Sequence, residues 1–172
     1  SKAFEDTSYK PEFFYRSMNI DLFGHSVTNF FIQGGYQHES NGRGGFDSRS
    51  TDMISVQPIF IFYHESSQLG LGVSPRIWAY LANEDKDLID YRGYFNLGIA
   101  AGKADSWVFH SDVYWAKEGP SVVLDATYPL REILFNNLDI YLQVQYANCL
   151  AESLLHFRER TQALRLGIAI IR

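Results

Sequence analysis

The chain has 172 residues, a formal net charge of −5 and 46% hydrophobic residues, with a sequence pI near 5.5 and a mean hydropathy of −0.18. An acidic balance without any block of Lys and Arg argues against a nucleic-acid partner. No run approaches the roughly 18 apolar residues that a membrane-spanning helix needs, which excludes a helical membrane protein. Aromatic residues nevertheless reach 16%, and that content combined with modest hydropathy suits a chain that alternates apolar and polar positions. The single Cys149 permits no internal disulfide and reads as a small side chain on a strand. Without a basic, apolar signal pattern at its start, the sequence reads as a mature chain or an internal fragment beginning at Ser1.

Period-two segments run from end to end and predict about nine strands, near residues 11–19, 27–40, 52–64, 69–82, 91–103, 107–118, 120–129, 138–149 and 160–171. In the second, Ser40, His38, Tyr36, Gly34, Ile32 and Phe30 share one face, opposite Glu39, Gln37, Gly35, Gln33 and Asn29. Trp107, Phe109, Val113 and Trp115 oppose His110, Asp112 and Tyr114. Leu138, Ile140, Leu142, Val144 and Tyr146 oppose Asp139, Tyr141, Gln143 and Gln145, and Leu164, Leu166, Ile168 and Ile170 oppose Ala163, Arg165, Gly167 and Ala169. Most of these segments reach the about 10 residues that a tilted membrane strand requires. Pro58 and Pro75 weaken two strands locally.

Short connections such as Glu65–Gln68 and Lys117–Pro120 contrast with longer polar ones at Gly42–Ser50, Asn83–Asp90 and Leu150–Glu159, the pattern of an outer-membrane barrel. A soluble sandwich or lipocalin-like barrel would turn the same apolar stripes inward. The Gln, Asn, Asp and Arg of the polar face are too many for a dry core, and Tyr, Trp and Phe cluster at strand ends as in an aromatic girdle. The expected fold is therefore all-β, a single antiparallel transmembrane barrel domain over residues 1–172.

The chemistry is densest at Gly35-Tyr36-Gln37-His38-Glu39-Ser40-Asn41-Gly42-Arg43. Positions i and i+2 of a strand emerge on one side, so His38 and Ser40 form a possible base and nucleophile on the apolar face. A lone His-x-Ser is more often structural, but here it is followed by Asn41-Gly42-Arg43 and by Ser48-Arg49-Ser50. That joint pattern resembles the signature of the bacterial outer membrane phospholipase A family, a twelve-stranded barrel with its active site on the outside. Phe4-Glu5-Asp6-Thr7-Ser8-Tyr9-Lys10-Pro11, Tyr91-Arg92-Gly93-Tyr94-Phe95 and Glu152-Ser153-Leu154 extend the resemblance over most of the chain. It implies that about three N-terminal strands of the twelve are absent here.

The resemblance implies that His38 and Ser40 serve as base and nucleophile in acyl-ester hydrolysis. The third position, an Asn in the family, falls on Asp52 in the register set by Ser48-Arg49-Ser50. A carboxylate there selects the imidazole tautomer that accepts the serine proton. Asp52 shares a face with Ile54, Val56 and Phe60, and a charge on the lipid side costs least, about 0–1 kcal/mol, near the headgroups. Oxyanion donors are expected at Ser40 and Gly42, with a calcium-bound water beside the Gly42 N–H. Calcium is expected on the Arg43 carbonyl and the Ser48 hydroxyl, completed by a carbonyl at the position of Ser1 in a second subunit. Asp47 could add charge, although the family's acidic residue matches Gly45. The expectation is a calcium-dependent, homodimeric phospholipase of the Gram-negative outer membrane.

Other candidates have plainer readings. His64 with Glu65, and His110 with Asp112, read as strand-end and lumen-facing groups, and His25 and His156 as solvated loop residues. Arg76, Arg92, Arg165 and Glu12 read as lumen ion-pair members, and Trp78, Trp107 and Trp115 as girdle or lipid-facing anchors. Two rival functions stay open: a lipid A deacylase, and a non-enzymatic barrel in which Asp52 marks a decayed site.

Overall fold

A computed structural model of the chain describes residues 8–21, 29–83, 86–130 and 140–170. Their nine strands form one antiparallel sheet in chain order: β1 (Glu12–Arg16), β2 (Asn29–Ser40), β3 (Ser50–His64), β4 (Leu69–Asn83), β5 (Phe95–Gly102), β6 (Val108–Trp115), β7 (Ser121–Pro129), β8 (Tyr141–Leu150) and β9 (Arg160–Ala169). Among the described residues, β1 pairs with β2 and β9 with β8, and no ladder joins β1 to β9. The number of strands and their places agree with the alternation of the sequence.

The direction of the faces settles the choice between a lipid-facing barrel and a soluble sandwich. Leu164, Leu166, Ile168 and Ile170 of the β9 region are each more than 70% exposed, and Ile54, Val56, Ile77 and Phe109 are exposed as well. The opposite faces line an open cavity of about 470 Å³ that carries polar and charged groups such as Gln37, Arg76, Asp112, Gln145 and Arg165. Apolar outside and polar inside is the reverse of a water-soluble core and the rule for a membrane barrel. Inside, Arg76 pairs with Glu12 at 2.8 Å, Arg165 with Glu152 and Arg92 with Glu39 at 2.7 Å. Pairing offsets the cost of bringing these charges into the interior.

The tightest apolar packing lies at one end of the sheet rather than between strands. A five-residue helix, α1 (Leu88–Arg92), sits in the β4–β5 connection. Its Leu88 is buried with Ala151, Leu154 and Phe157 of the β8–β9 connection, and Tyr91 packs against them, edge-on to the Phe157 ring. Polar contacts brace the helix: Arg158 bonds Asp87 at 2.6 Å, Lys117 bonds Asp90 at 2.7 Å, and the Glu118 N–H donates to the Asp90 carbonyl at 2.9 Å. The Asp90 carboxylate, chiefly through that side-chain hydrogen bond, raises the Lys117 ammonium above the usual lysine range. This loop cap covers the end of the sheet to which Ser40 belongs.

Three expectations need correction. Tyr91 and Arg92 belong to α1, not to a strand, because Gly93 at φ +72 ends the helix and the strand begins only at Phe95. Trp78 faces inward, lining the cavity beside Tyr114, since its neighbours Ile77 and Ala79 take the outward positions. Trp107 and Trp115 are exposed on the outer face as expected. Length does not sort the connections strictly by end: the short Lys117–Pro120 turn bonds Asp90 of α1 and so lies with the long loops. Pro58 and Pro75 weaken β3 and β4 locally as expected: they fall opposite one another in the gap of the ladder between the paired residues Val56↔Ile77 and Phe60↔Val73. Neither proline has an N–H to give, so facing each other they take donors from the same short stretch of ladder.

Candidate active site

Strand register brings together what the sequence separates. β2 pairs with β3 so that His38 stands opposite Asp52 and Ser40 opposite Ser50. The period-two pleat sends His38 and Ser40 to the outer face, and the cross-strand partner of His38 follows it. Next to Asp52, the β3–β4 ladder shifts register between Asp52 and Met53, a bulge of the kind that re-aims a side chain at a site.

The contacts are specific. His38 Nδ1 lies 2.8 Å from Asp52 Oδ1, and because a carboxylate accepts only, Nδ1 carries the proton and Nε2 keeps its lone pair. The Tyr36 hydroxyl donates to the same Oδ1 at 2.6 Å. His38 and Asp52 are 39% and 26% exposed, open enough to meet a ligand from the apolar side. Two donors on one carboxylate oxygen compensate the anion in that setting. Tyr36 escapes a reading of motifs; its place two residues before His38 on the same face was the available signal.

Around Ser40 the backbone is tied on both sides. The Ser40 N–H donates to the Tyr9 carbonyl at 3.0 Å, and the Tyr9 N–H returns a bond to the Ser40 carbonyl at 2.8 Å. The Ser40 amide expected as an oxyanion donor is thus committed to this bridge. The Gly42 N–H instead points at Ser40 Oγ, 3.2 Å away, beside the position where a carbonyl carbon would meet the nucleophile. Gly42 holds φ +66, where the backbone favours glycine, and a Cβ there would come within 2.9 Å of the exposed Tyr9 ring.

Asn41 organises the following loop. Buried at 3% exposure, its Oδ1 accepts the N–H groups of Arg43 at 3.2 Å and Arg49 at 3.0 Å, while its Nδ2 donates to the Asp47 carbonyl at 2.7 Å. Arg49 Nη1 donates to the carbonyls of Phe46 and Ser48. The donors expected for calcium, the Arg43 carbonyl and the Ser48 hydroxyl, lie in this ordered loop and are neutral oxygens, the type a hard cation takes. Among the described residues no three His, Cys, Asp or Glu converge as a metal cluster. Asp47 in the same loop is turned to solvent, 4.0 Å from Arg43 Nη1. The donor chemistry fits calcium. Ser1 and His25 lie outside the described residues.

The remaining histidines are engaged elsewhere. His110 lies 3.6 Å from Asp112 in the inner cavity, His64 bonds Ser67 in the β3–β4 turn, and His156 pairs with Glu159.

Comparison with known proteins gives one consistent result. The model of a family described as Phospholipase A1 matches residues 1–170. The fold is similar to outer membrane phospholipase A from Escherichia coli, with a TM-score of 0.75 and 21% identity over 95% of this chain and 64% of that one. An active-site mutant of the Escherichia coli protein gives a TM-score of 0.72 and 22% identity over 95% and 60%. The calcium-bound dimer of the Salmonella typhi outer membrane phospholipase gives 0.73 and 20% over 95% and 60%. No match is found among curated proteins. The chain thus spans less than two thirds of the length of these solved relatives.

Proposed function

The chain belongs to the phospholipase A1 family, and from that premise we propose that it hydrolyses the acyl esters of phospholipids in the Gram-negative outer membrane, dependent on calcium and on pairing of two copies. The observation that carries this reading is the His38–Asp52 hydrogen bond of 2.8 Å on the outward face that also bears Ser40. It leaves the imidazole in the tautomer a general base needs, on the side from which lipid arrives.

In the proposed reaction Ser40 Oγ attacks the ester carbonyl carbon while His38 Nε2 takes the hydroxyl proton. Asp52 holds the ring and stabilises the imidazolium, and Tyr36 fixes the carboxylate. The Gly42 N–H, already directed at Oγ, stabilises the oxyanion. His38 then delivers its proton to the leaving alcohol, and water, deprotonated by the same imidazole, releases the fatty acid from Ser40. Calcium bound at Arg43 and Ser48 would polarise a water as a second oxyanion donor. A dimer is a property of the Salmonella typhi relative; here it would join two apolar outer faces and complete the calcium ligands at the position of Ser1.

The test is release of fatty acid from a phospholipid by the refolded protein in detergent, with calcium or with a chelator, beside Ser40→Ala. Calcium-dependent release that falls by about 10⁶-fold in the variant supports the reading. A folded protein that releases no fatty acid refutes it, and preferential release from lipid A transfers the site to the deacylase alternative.

A further inference from the structure

Between the two groups proposed to react stands Glu39, and the same pleat that turns His38 and Ser40 outward turns it inward. It is 1% exposed, almost without parallel for a carboxylate unless it is paired. Arg92 Nη1 donates to Oε2 at 2.7 Å and Arg92 Nη2 approaches Oε1 at 3.4 Å, while Lys10 Nζ lies 3.0 Å from Oε1. Arg92 Nη2 also donates to the Ala151 carbonyl at 3.0 Å. Ala151 sits at φ +53, a left-handed conformation that an alanine adopts only when its surroundings impose it.

We infer that Glu39 and Arg92 are positioning residues, which fasten the reactive end of β2 to the loop cap from inside the barrel and so set the aim of His38 and Ser40. The inference rests on the hydrolytic reading of that pair. Three features lead to it. The neighbouring strand β1 is only five residues long and exposed throughout, so the ladder on that side of the site is thin: the bonds of His38 and Ser40 to the chain segment at Pro11 and Tyr9. Arg92 closes α1, whose Leu88 is locked into the buried cluster with Leu154 and Phe157, so its guanidinium is delivered from a braced element. A buried carboxylate cannot leave its place without depriving Arg92, itself only 12% exposed, of its counter-charge. Rotation of β2 about its axis would carry His38 and Ser40 off line, and an inner tether at the residue between them opposes that rotation. A misplacement of about 1 Å is enough to cost roughly 10²-fold in rate.

The experiment compares the full chain, refolded in detergent, with Glu39→Gln, Arg92→Ala, their double variant, and Leu154→Ala as a variant that loosens the cap without touching the ion pair. Two readouts are taken: kcat and KM on phospholipid, and amide hydrogen exchange at 37–42 and 49–53. Each single variant is expected to lower kcat about 10- to 100-fold with KM within about twofold, and to speed exchange in both segments. The double variant should be no worse than either single, because the two act as one unit. If a single variant does not fold, the neutral pair Glu39→Gln with Arg92→Gln, which leaves only the half-exposed Lys10 charged, replaces it. Wild-type kcat and exchange in a folded Glu39→Gln protein would overturn the inference, as would a loss confined to unfolding temperature. Should the unmodified protein release no fatty acid, the hydrolytic reading falls, and exchange alone decides the tether: faster exchange in the variants upholds it, unchanged exchange overturns it.

Discussion

The outer and inner faces of β2 present two ways of holding polar groups at one strand end. Outside, His38, Asp52 and Tyr36 are part-exposed and bonded to one another through a single carboxylate oxygen. Inside, one residue along, Glu39 is closed off and saturated by Arg92 and Lys10. A period of two lets adjacent residues live in different solvents. The part-exposed groups lie on the apolar outer side, and the buried carboxylate lies on the side where cations reach it.

Removing the outer carboxylate breaks this comparison most forcefully. Asp52→Ala leaves His38 without its Nδ1 acceptor, and kcat for phospholipid hydrolysis is expected to fall about 10⁴-fold. The barrel should survive, because an exposed outer face contributes little to folding at that point. Heat-modifiable migration of the refolded protein on a gel checks that survival. A loss below about tenfold would mean that the imidazole is oriented by something other than Asp52.

Gly42→Ala sharpens the distinction between backbone and side chain. The exposed Tyr9 ring can yield to the new Cβ, but alanine is strained at φ +66, so the amide that faces Ser40 Oγ is expected to turn. A loss of about 10²- to 10³-fold in kcat is expected, the size found when an oxyanion donor is removed. KM should change far less, and a parallel fall in binding would argue that this loop holds substrate rather than the developing charge.

Much of this was legible in the residues. The strands announce themselves because each stripe is continuous: Leu164, Leu166, Ile168 and Ile170 can share a face only in an extended chain. Asp52 was legible only through the resemblance, whose Ser48-Arg49-Ser50 segment puts it at the third position, and the ladder sets that residue opposite His38. What escaped depends on partners distant in sequence. α1 is five residues in a polar connection, too short for a helical period, and its identity rests on Leu88 meeting Phe157. Residue type alone puts Trp78 in the girdle, whereas its true face follows from the alternation of Ile77, Trp78 and Ala79. Tyr36 was in plain view on the reactive face, but the use of its hydroxyl emerges only when β3 delivers Asp52 to it.

The smallest effects concern that hydroxyl, and they separate this site from a serine-protease triad. In such a triad, replacing the aspartate by asparagine costs about 10⁴-fold, because the amide can present its NH₂ to the imidazole and select the wrong tautomer. Here the Tyr36 hydroxyl shares Oδ1 with His38. An asparagine at this position would therefore be held with its oxygen toward both donors and its NH₂ away. Asp52→Asn is accordingly expected to keep kcat within about tenfold of the unmodified protein. Tyr36→Phe removes one bond to a charged acceptor, worth about 1.5–3 kcal/mol when buried, less at this half-exposed place, and should lower kcat about threefold to tenfold. The two changes together should cost far more than their product, since the introduced amide would then lose the donor that fixes its orientation. A double variant that is merely additive would show that Tyr36 fills space beside the carboxylate without orienting it, and the four kcat values measured side by side decide between these outcomes.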